Sequence, residues 1–125
     1  MTSRREARRT ALFLLFQWDV TGKPLGSLYE GEVDPFADDL ARAVADRADE
    51  LDARIDESAV DWTADRLGAV ERNVPRIAQV ELERGEVPTE VVLDEAVRLA
   101  KRYGASDQAG RLVNGILGRI AREAA

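Results

Sequence analysis

Cysteine and histidine are both missing from this chain. Their absence excludes zinc sites of the usual nitrogen and sulfur kind. It also excludes nucleophilic machinery built on Cys–His or Ser–His pairs. Neither GxxxxGK[ST] nor GxGxxG occurs, so no glycine-rich phosphate loop is present. No apolar run approaches the ~18–20 residues of a membrane span. The apolar stretch behind the arginine-rich N-terminus is only Ala11 to Phe16, and no small-residue cleavage site follows it. With no signal and no cysteine, the expected location is the cytoplasm. The carboxylates that remain are spread along helix faces, so neither an enzyme, a metal site nor a cofactor is expected.

What is present is a chain of 125 residues, enough for one domain spanning 1–125. Its 45% apolar and 34% charged residues suit a soluble protein rich in helix. The net charge of −6 hides an asymmetry. Arg4, Arg5, Arg8 and Arg9 crowd the start against Glu6. Thirteen acids stand against Arg42, Arg47 and Arg54 between residues 30 and 65. Arg98, Lys101, Arg102, Arg111, Arg119 and Arg122 then face only Asp107 between 98 and 122. A basic head and tail around an acidic middle suggest one face for a polyanion and another for solvent or a basic partner.

Ser3-Arg4-Arg5-Glu6 is a capping box, so a helix is predicted from about residue 4 to Thr21-Gly22. Ala7, Ala11, Leu14, Leu15 and Trp18 form its apolar face. From Leu12 to Phe16 it is apolar almost all round, so it is largely buried or exposes one aromatic; the core is the expected place for both Phe13 and Phe16. Arg4 with Arg8, and Arg5 with Arg9, are like charges at i, i+4, each costing ~0.2–0.5 kcal/mol, at the helix end whose dipole disfavours cations. They make either a solvated basic end or a surface for phosphate. On the second reading, loss of Arg5 and Arg8 weakens binding of a phosphate-rich partner and leaves stability level or slightly higher.

Residues 22–35 read as a loop with one helical turn near Leu28-Tyr29. Asp34-Pro35 is an N-cap and N1 pair for a helix to about Ile55, with Phe36, Leu40, Ala43 or Val44, Arg47, Leu51 and Ile55 on or near one face. A short helix is expected from Trp62 through Leu67. Another runs from Val70 to about Arg84, where Asn73 caps a first turn holding Pro75 or the helix kinks. Residues 87–121 hold the pair around which the chain is organised. Val92, Leu93, Ala96, Val97, Leu99, Ala100 and Tyr103 make one apolar face, and Leu112, Val113, Ile116, Leu117, Ile120 and Ala121 make the next. Ser106 or Asp107 is the N-cap of the second helix, and residues 91–103 pack against 107–122. That helix carries Gly110, Gly115 and Gly118, each costing about 0.5–1 kcal/mol relative to Ala. Arg111, Gly115, Gly118, Arg119 and Arg122 share a side, either as a close helix crossing with a basic rim or as a surface that a phosphate backbone approaches. The expected architecture is all-α, a single compact bundle of six or seven helices.

EVVLDEAVRLAKRYG followed by RLVNGILGRIA resembles the C-terminal signature of the NusB transcription antitermination family, and RLGAVERNVPRIAQVELE and SRREARRTALFLLFQWD continue the likeness upstream. The resemblance implies a small helical protein that binds the boxA element of ribosomal RNA transcripts with the ribosomal protein NusE and joins an antitermination complex on RNA polymerase. Arg4, Arg5 and Arg8 match the family's arginine-rich RNA motif; Arg9 is added on charge alone, as is Lys101. Phe16 stands where the family usually has tyrosine. Leu112 replaces an aromatic of the usual F-V-N-G-V-L, and Asp107 lies in a loop the family brings near RNA. Glu71 matches an acidic position of the RNA and NusE surface, while the acidic middle is expected to contact NusE. Pro75 departs from the usual aliphatic residue. Two other readings are an accessory domain of a ribosomal RNA methyltransferase, disfavoured because the chain ends at Ala125 without a SAM-binding domain, and a protein-interaction scaffold in ribosome assembly. The chain is read as a monomer or homodimer.

Overall fold

Ser3 starts the first helix as its S-x-x-E sequence predicts: Ser3 Oγ accepts from the Glu6 N–H at 3.1 Å. This is seen in a computed structural model that describes residues 2–59 and 63–124. Helix α1 (Arg4–Thr21) ends where Gly22 takes φ 71 and donates its N–H to the Trp18 carbonyl. A one-turn 3-10 helix, Leu25–Leu28, fills the next loop. Asp34 Oδ2 then accepts from the N–H groups of Phe36 and Ala37, capping α2 (Pro35–Ser58). Helix α2 outruns its expected end at Ile55 and is broken at Arg47 (φ −121, ψ 18). The Arg47 guanidinium is clamped by Glu50 on its own helix and Glu83 across from it. Val44, not Ala43, is the residue this helix buries there.

The expected start of a short helix at Trp62 lies outside the described residues. The segment just after it forms a single 3-10 turn, Ala64–Arg66, rather than a helix through Leu67. Helices α3 (Ala69–Arg84), α4 (Thr89–Tyr103) and α5 (Ala109–Ala124) complete the chain. Among the described residues the regular structure is entirely helical: five α-helices and two 3-10 turns. This is the all-α fold that the sequence predicts. No helix among them is long and apolar enough to cross a membrane.

Two expectations about α3 and α5 are corrected. Asn73 is not a cap. Helix α3 begins after Gly68 and runs on through Pro75, and Asn73 is fully buried inside it, donating to Asp19 and the Ala69 carbonyl. Helix α5 begins at Ala109, after a turn in which Ser106 Oγ accepts from the Gln108 N–H and the Ser106 carbonyl accepts from the Ala109 N–H.

Helices α4 and α5 pack against each other as expected, but the centre of the molecule is α3, which touches each of the other four α-helices. It is buried along Val74, Ile77, Ala78 and Val80 and also along Glu71, Asn73, Arg76, Gln79 and Glu81. A central helix with so many polar groups needs partners for them. Arg76 is held by Asp52, Asp19 and Asn73, and Glu81 is held by Arg8. Around it, Leu12, Leu15, Leu40, Val44, Leu51, Ile55, Val92, Val113, Ile116 and Leu117 are essentially fully buried.

Candidate nucleic-acid interface

Helix α1 and helix α4 bring the two basic ends of the sequence together. Arg5 reaches across to Glu95 with a two-pronged contact, Nη2 to Oε1 at 2.8 Å and Nε to Oε2 at 3.1 Å. The hydrogen bond from Arg5 holds the Glu95 carboxyl below its ordinary range. Arg98 stands 3.9 Å from the same carboxylate. Arg5, Arg9, Arg98, Arg102 and Tyr103 line one surface groove between α1 and α4. Arg98, Lys101, Arg102 and Asn114 line the next, between α4 and α5. Because Arg98 and Arg102 wall both, the two grooves form one basic strip.

Local packing sets this strip. Gly110 lets the Lys101 stem lie across α5, since a Cβ there would sit 2.6 Å from Lys101 Cγ. Arg102 donates from Nε to Tyr103 Oη at 3.1 Å. Partial burial pushes the Tyr103 hydroxyl up, but its hydrogen bonds and charge contacts with Arg102 and Arg9 outweigh that and hold it below its ordinary value. The Tyr103 ring meets Phe13 edge to face, with centroids 5.0 Å apart. The expectation that both phenylalanines lie in the core is corrected: Phe13 is 44% and Phe16 41% exposed. With Val20, also exposed, they continue the outward side of α1 below the arginines. The core needs only Ala7, Ala11, Leu12, Leu14 and Leu15 from this helix.

The four N-terminal arginines have different surroundings. Arg9 is exposed beside Tyr103. Arg4 is exposed and lies over the Phe36 ring, 3.8 Å from its centroid. Arg8 does not project outward: it is 5% exposed and paired through Nε and Nη2 with buried Glu81 at 2.8 and 2.9 Å. The expectation that losing Arg8 leaves stability intact is therefore revised, because its loss strands a buried carboxylate.

Glu71 is likewise buried. Its Oε1 accepts the Ala105 N–H at 2.7 Å, tying α3 to the loop between α4 and α5. Gly104 has to be glycine in that loop, since a Cβ would collide with the Ala100 carbonyl oxygen and the Ala109 Cβ. Asp107 is exposed in the same loop, and Leu112 is half-buried against the core. Gly115 faces open space, and a Cβ on Gly118 would meet only Arg122 Nη1 at 3.4 Å. The close-crossing reading of the glycines thus holds at Gly110 alone, against a side chain. The acidic middle is partly used up internally: Asp38 binds Arg42 and Tyr29, Asp52 binds Arg76, and Asp56 accepts the Ala64 N–H. Asp39, Asp46 and Asp49 face outward.

Sequence reasoning assigns Tyr103 to the core and passes over Arg98, Arg102, Asn114 and Glu95 as site residues. The i, i+4 spacing of Arg98 and Arg102, opposite Val92, Ala96 and Leu99, is the available signal for two of them.

The model of the NusB family matches residues 5–122. The transcription antitermination protein NusB of Solibacter usitatus is 38% identical over 134 residues, covering 98% of this chain and 91% of that protein. A crystal form of T. maritima NusB is 34% identical with a TM-score of 0.84, covering 98% of this chain and 92% of that one. A chain from a crystal structure of antitermination factors NusB and NusE in complex with dsRNA is 31% identical with a TM-score of 0.81, covering 96% of each.

Proposed function

The chain belongs to the NusB family, and from that premise we propose that its basic strip binds RNA while a second surface binds NusE. As a member of that family it is a transcription antitermination factor and not an enzyme. The RNA proposed is the boxA element of ribosomal RNA transcripts, and the assembly it joins is the antitermination complex on RNA polymerase, in the cytoplasm. The observation that carries the reading is the union of Arg5 and Arg9 with Arg98, Lys101 and Arg102 along grooves with shared walls. Guanidinium forks suit phosphates and base edges, and the exposed rings of Phe13 and Phe16 suit unpaired bases.

Roles within this reading differ by residue. Arg5, Arg9 and Lys101 contact RNA directly, with Arg4 at the edge and Phe16 as a stacking ring. Arg8 and Glu71 act from inside, the first by fixing α1 on α3 and the second by fixing the loop that carries Asp107. Leu112 supports that loop's helix by packing rather than by stacking on a base. The outward acids of α2 are the surface offered to NusE. The test is boxA RNA binding measured with the chain alone and with NusE added. Tighter binding in the presence of NusE, weakened by Arg9→Ala and Lys101→Ala, is expected. RNA affinity indifferent to NusE and to both substitutions overturns the reading.

A further inference from the structure

Arg5 and Arg8 hold their carboxylates by the same two nitrogens, Nε and Nη2, but only Arg5 is open to a ligand. The Arg8–Glu81 pair is buried. The Arg5 side chain is 59% exposed, and that of its partner Glu95 is 13% exposed. A guanidinium carries five N–H donors in a fixed planar fork. Glu95 takes the edge made by Nε and Nη2. The end-on edge, Nη1 with the other Nη2 hydrogen, makes no hydrogen bond among the described residues. Arg5 also lines the α1–α4 groove, of about 450 Å³, with Leu99 and Tyr103. It is therefore a flat two-pronged donor whose plane is set from α4 and whose second edge is unused.

Two kinds of acceptor on RNA match such an edge: a phosphate, and the O6 and N7 pair of guanine, the commonest specific target of arginine. The surrounding charge favours the base. The Glu95 carboxylate, 2.8 Å away, offsets the Arg5 charge, and Glu6 lines the same groove, so an anion at the free edge gains little net attraction. A neutral acceptor pair needs only the directional hydrogen bonds, and those remain. Phosphates have better partners alongside. Arg98 stands 3.9 Å from Glu95, beyond hydrogen-bond reach. Arg102 bonds the Tyr103 hydroxyl and Arg9 lies beside it, neither paired with a carboxylate among the described residues. We propose that Arg5, held in plane by Glu95, is the residue that selects guanine in RNA bound along the basic strip. Adenine presents an amino donor where guanine has O6, so it sets donor against donor at one prong. Glu95 is a positioning residue that acts through Arg5, and a guanidinium already held in place loses less freedom on binding. The assignment rests on the RNA reading above and adds the base that the groove prefers.

The test is fluorescence-anisotropy binding of the full chain, at low salt, to single-stranded uridine dodecamers that carry one central guanosine, adenosine or 7-deazaguanosine, the last lacking the N7 acceptor. The guanosine RNA is expected to bind about fivefold or more tighter than the adenosine RNA, with the 7-deazaguanosine RNA between them. Arg5→Lys keeps the charge and removes the fork, so it should erase the preference and leave affinity for the adenosine RNA as it is. Glu95→Gln should shrink the preference while affinity for the adenosine RNA holds or rises, because a negative charge leaves the groove; a merely structural role would weaken all three RNAs alike. Failure of every RNA to bind overturns the RNA reading of the strip and this assignment with it. Equal binding of the three RNAs, a guanosine preference that survives Arg5→Lys, or one untouched by Glu95→Gln leaves the RNA reading standing and overturns the assignment of Arg5 and Glu95.

Discussion

Arg8 and Arg9 are adjacent, carry the same charge and share no surroundings. Arg8 is locked to Glu81 inside the molecule, whereas Arg9 is exposed at the α1–α4 groove. Like charges at i, i+4 cost only ~0.2–0.5 kcal/mol, while breaking a buried ion pair by removing one partner costs about 3–5 kcal/mol. The burial term wins, so Arg8→Ala should destabilise the fold by about 3–5 kcal/mol in urea titrations. Glu81→Gln should do less damage, since the amide oxygen still accepts a hydrogen bond. In the folded fraction of Arg8→Ala the salt dependence of RNA binding should stay as it is. A flatter salt slope there would mean that Arg8 leaves Glu81 to contact phosphate.

Helix α3 shows a conflict between local propensity and tertiary packing. Pro75 lies in its second turn, where it removes the hydrogen bond to the Glu71 carbonyl and costs about 3 kcal/mol. Burial on all sides keeps the helix continuous. Pro75→Ala restores the donor but gives up two buried methylenes, at about 0.8 kcal/mol each. The net should be a gain of about 1 kcal/mol, read as a higher melting temperature; a lower one would show that the ring's packing outweighs the missing bond. The α1–α4 tie makes a second prediction at this scale. Glu95 is held below its ordinary pKa by Arg5, so its contribution is complete above the unfolded carboxylate range and disappears as pH falls through the lower folded value. Between about pH 5 and pH 3 the wild type should lose more thermal stability than Glu95→Gln. Parallel losses would mean that the Arg5–Glu95 contact contributes nothing to stability.

At the scale of the whole molecule, a protein of net charge −6 presents a concentrated positive strip. Its affinity for a polyanion depends on where the charges meet rather than on their total. Each phosphate contact to a single strand contributes a salt slope of about 0.7. If Arg5, Arg9, Arg98, Lys101 and Arg102 all engage phosphates, the logarithm of RNA affinity should fall against the logarithm of salt with a slope of about 3.5. Arg9→Ala and Lys101→Ala should each lower that slope by about 0.7. A wild-type slope near zero would leave the strip without an electrostatic role.

The local signals settled which segments are helical and where most of them stop. Ser3, Asp34, Gly22 and Gly85 act through short-range geometry, a side-chain acceptor for free N–H groups or a left-handed φ, and such geometry is readable from neighbouring residues. Apolar periodicity likewise named most of the core, and the four-residue spacing of the cations placed them on helix faces. What depended on the tertiary structure was which helix lies in the middle and which charges remain open. Helix α3 is central although it is the most polar of the buried segments, because Arg8, Asp19 and Asp52 arrive from other helices to satisfy it. Arg8 and Glu71 are turned inward, and Phe13 and Phe16 outward, by partners 34 to 73 residues away or by a core already filled. Long-range pairing of this kind leaves no mark in a window of one helix turn, so only the folded chain could sort the arginines that are locked inside from those that stay exposed along the strip.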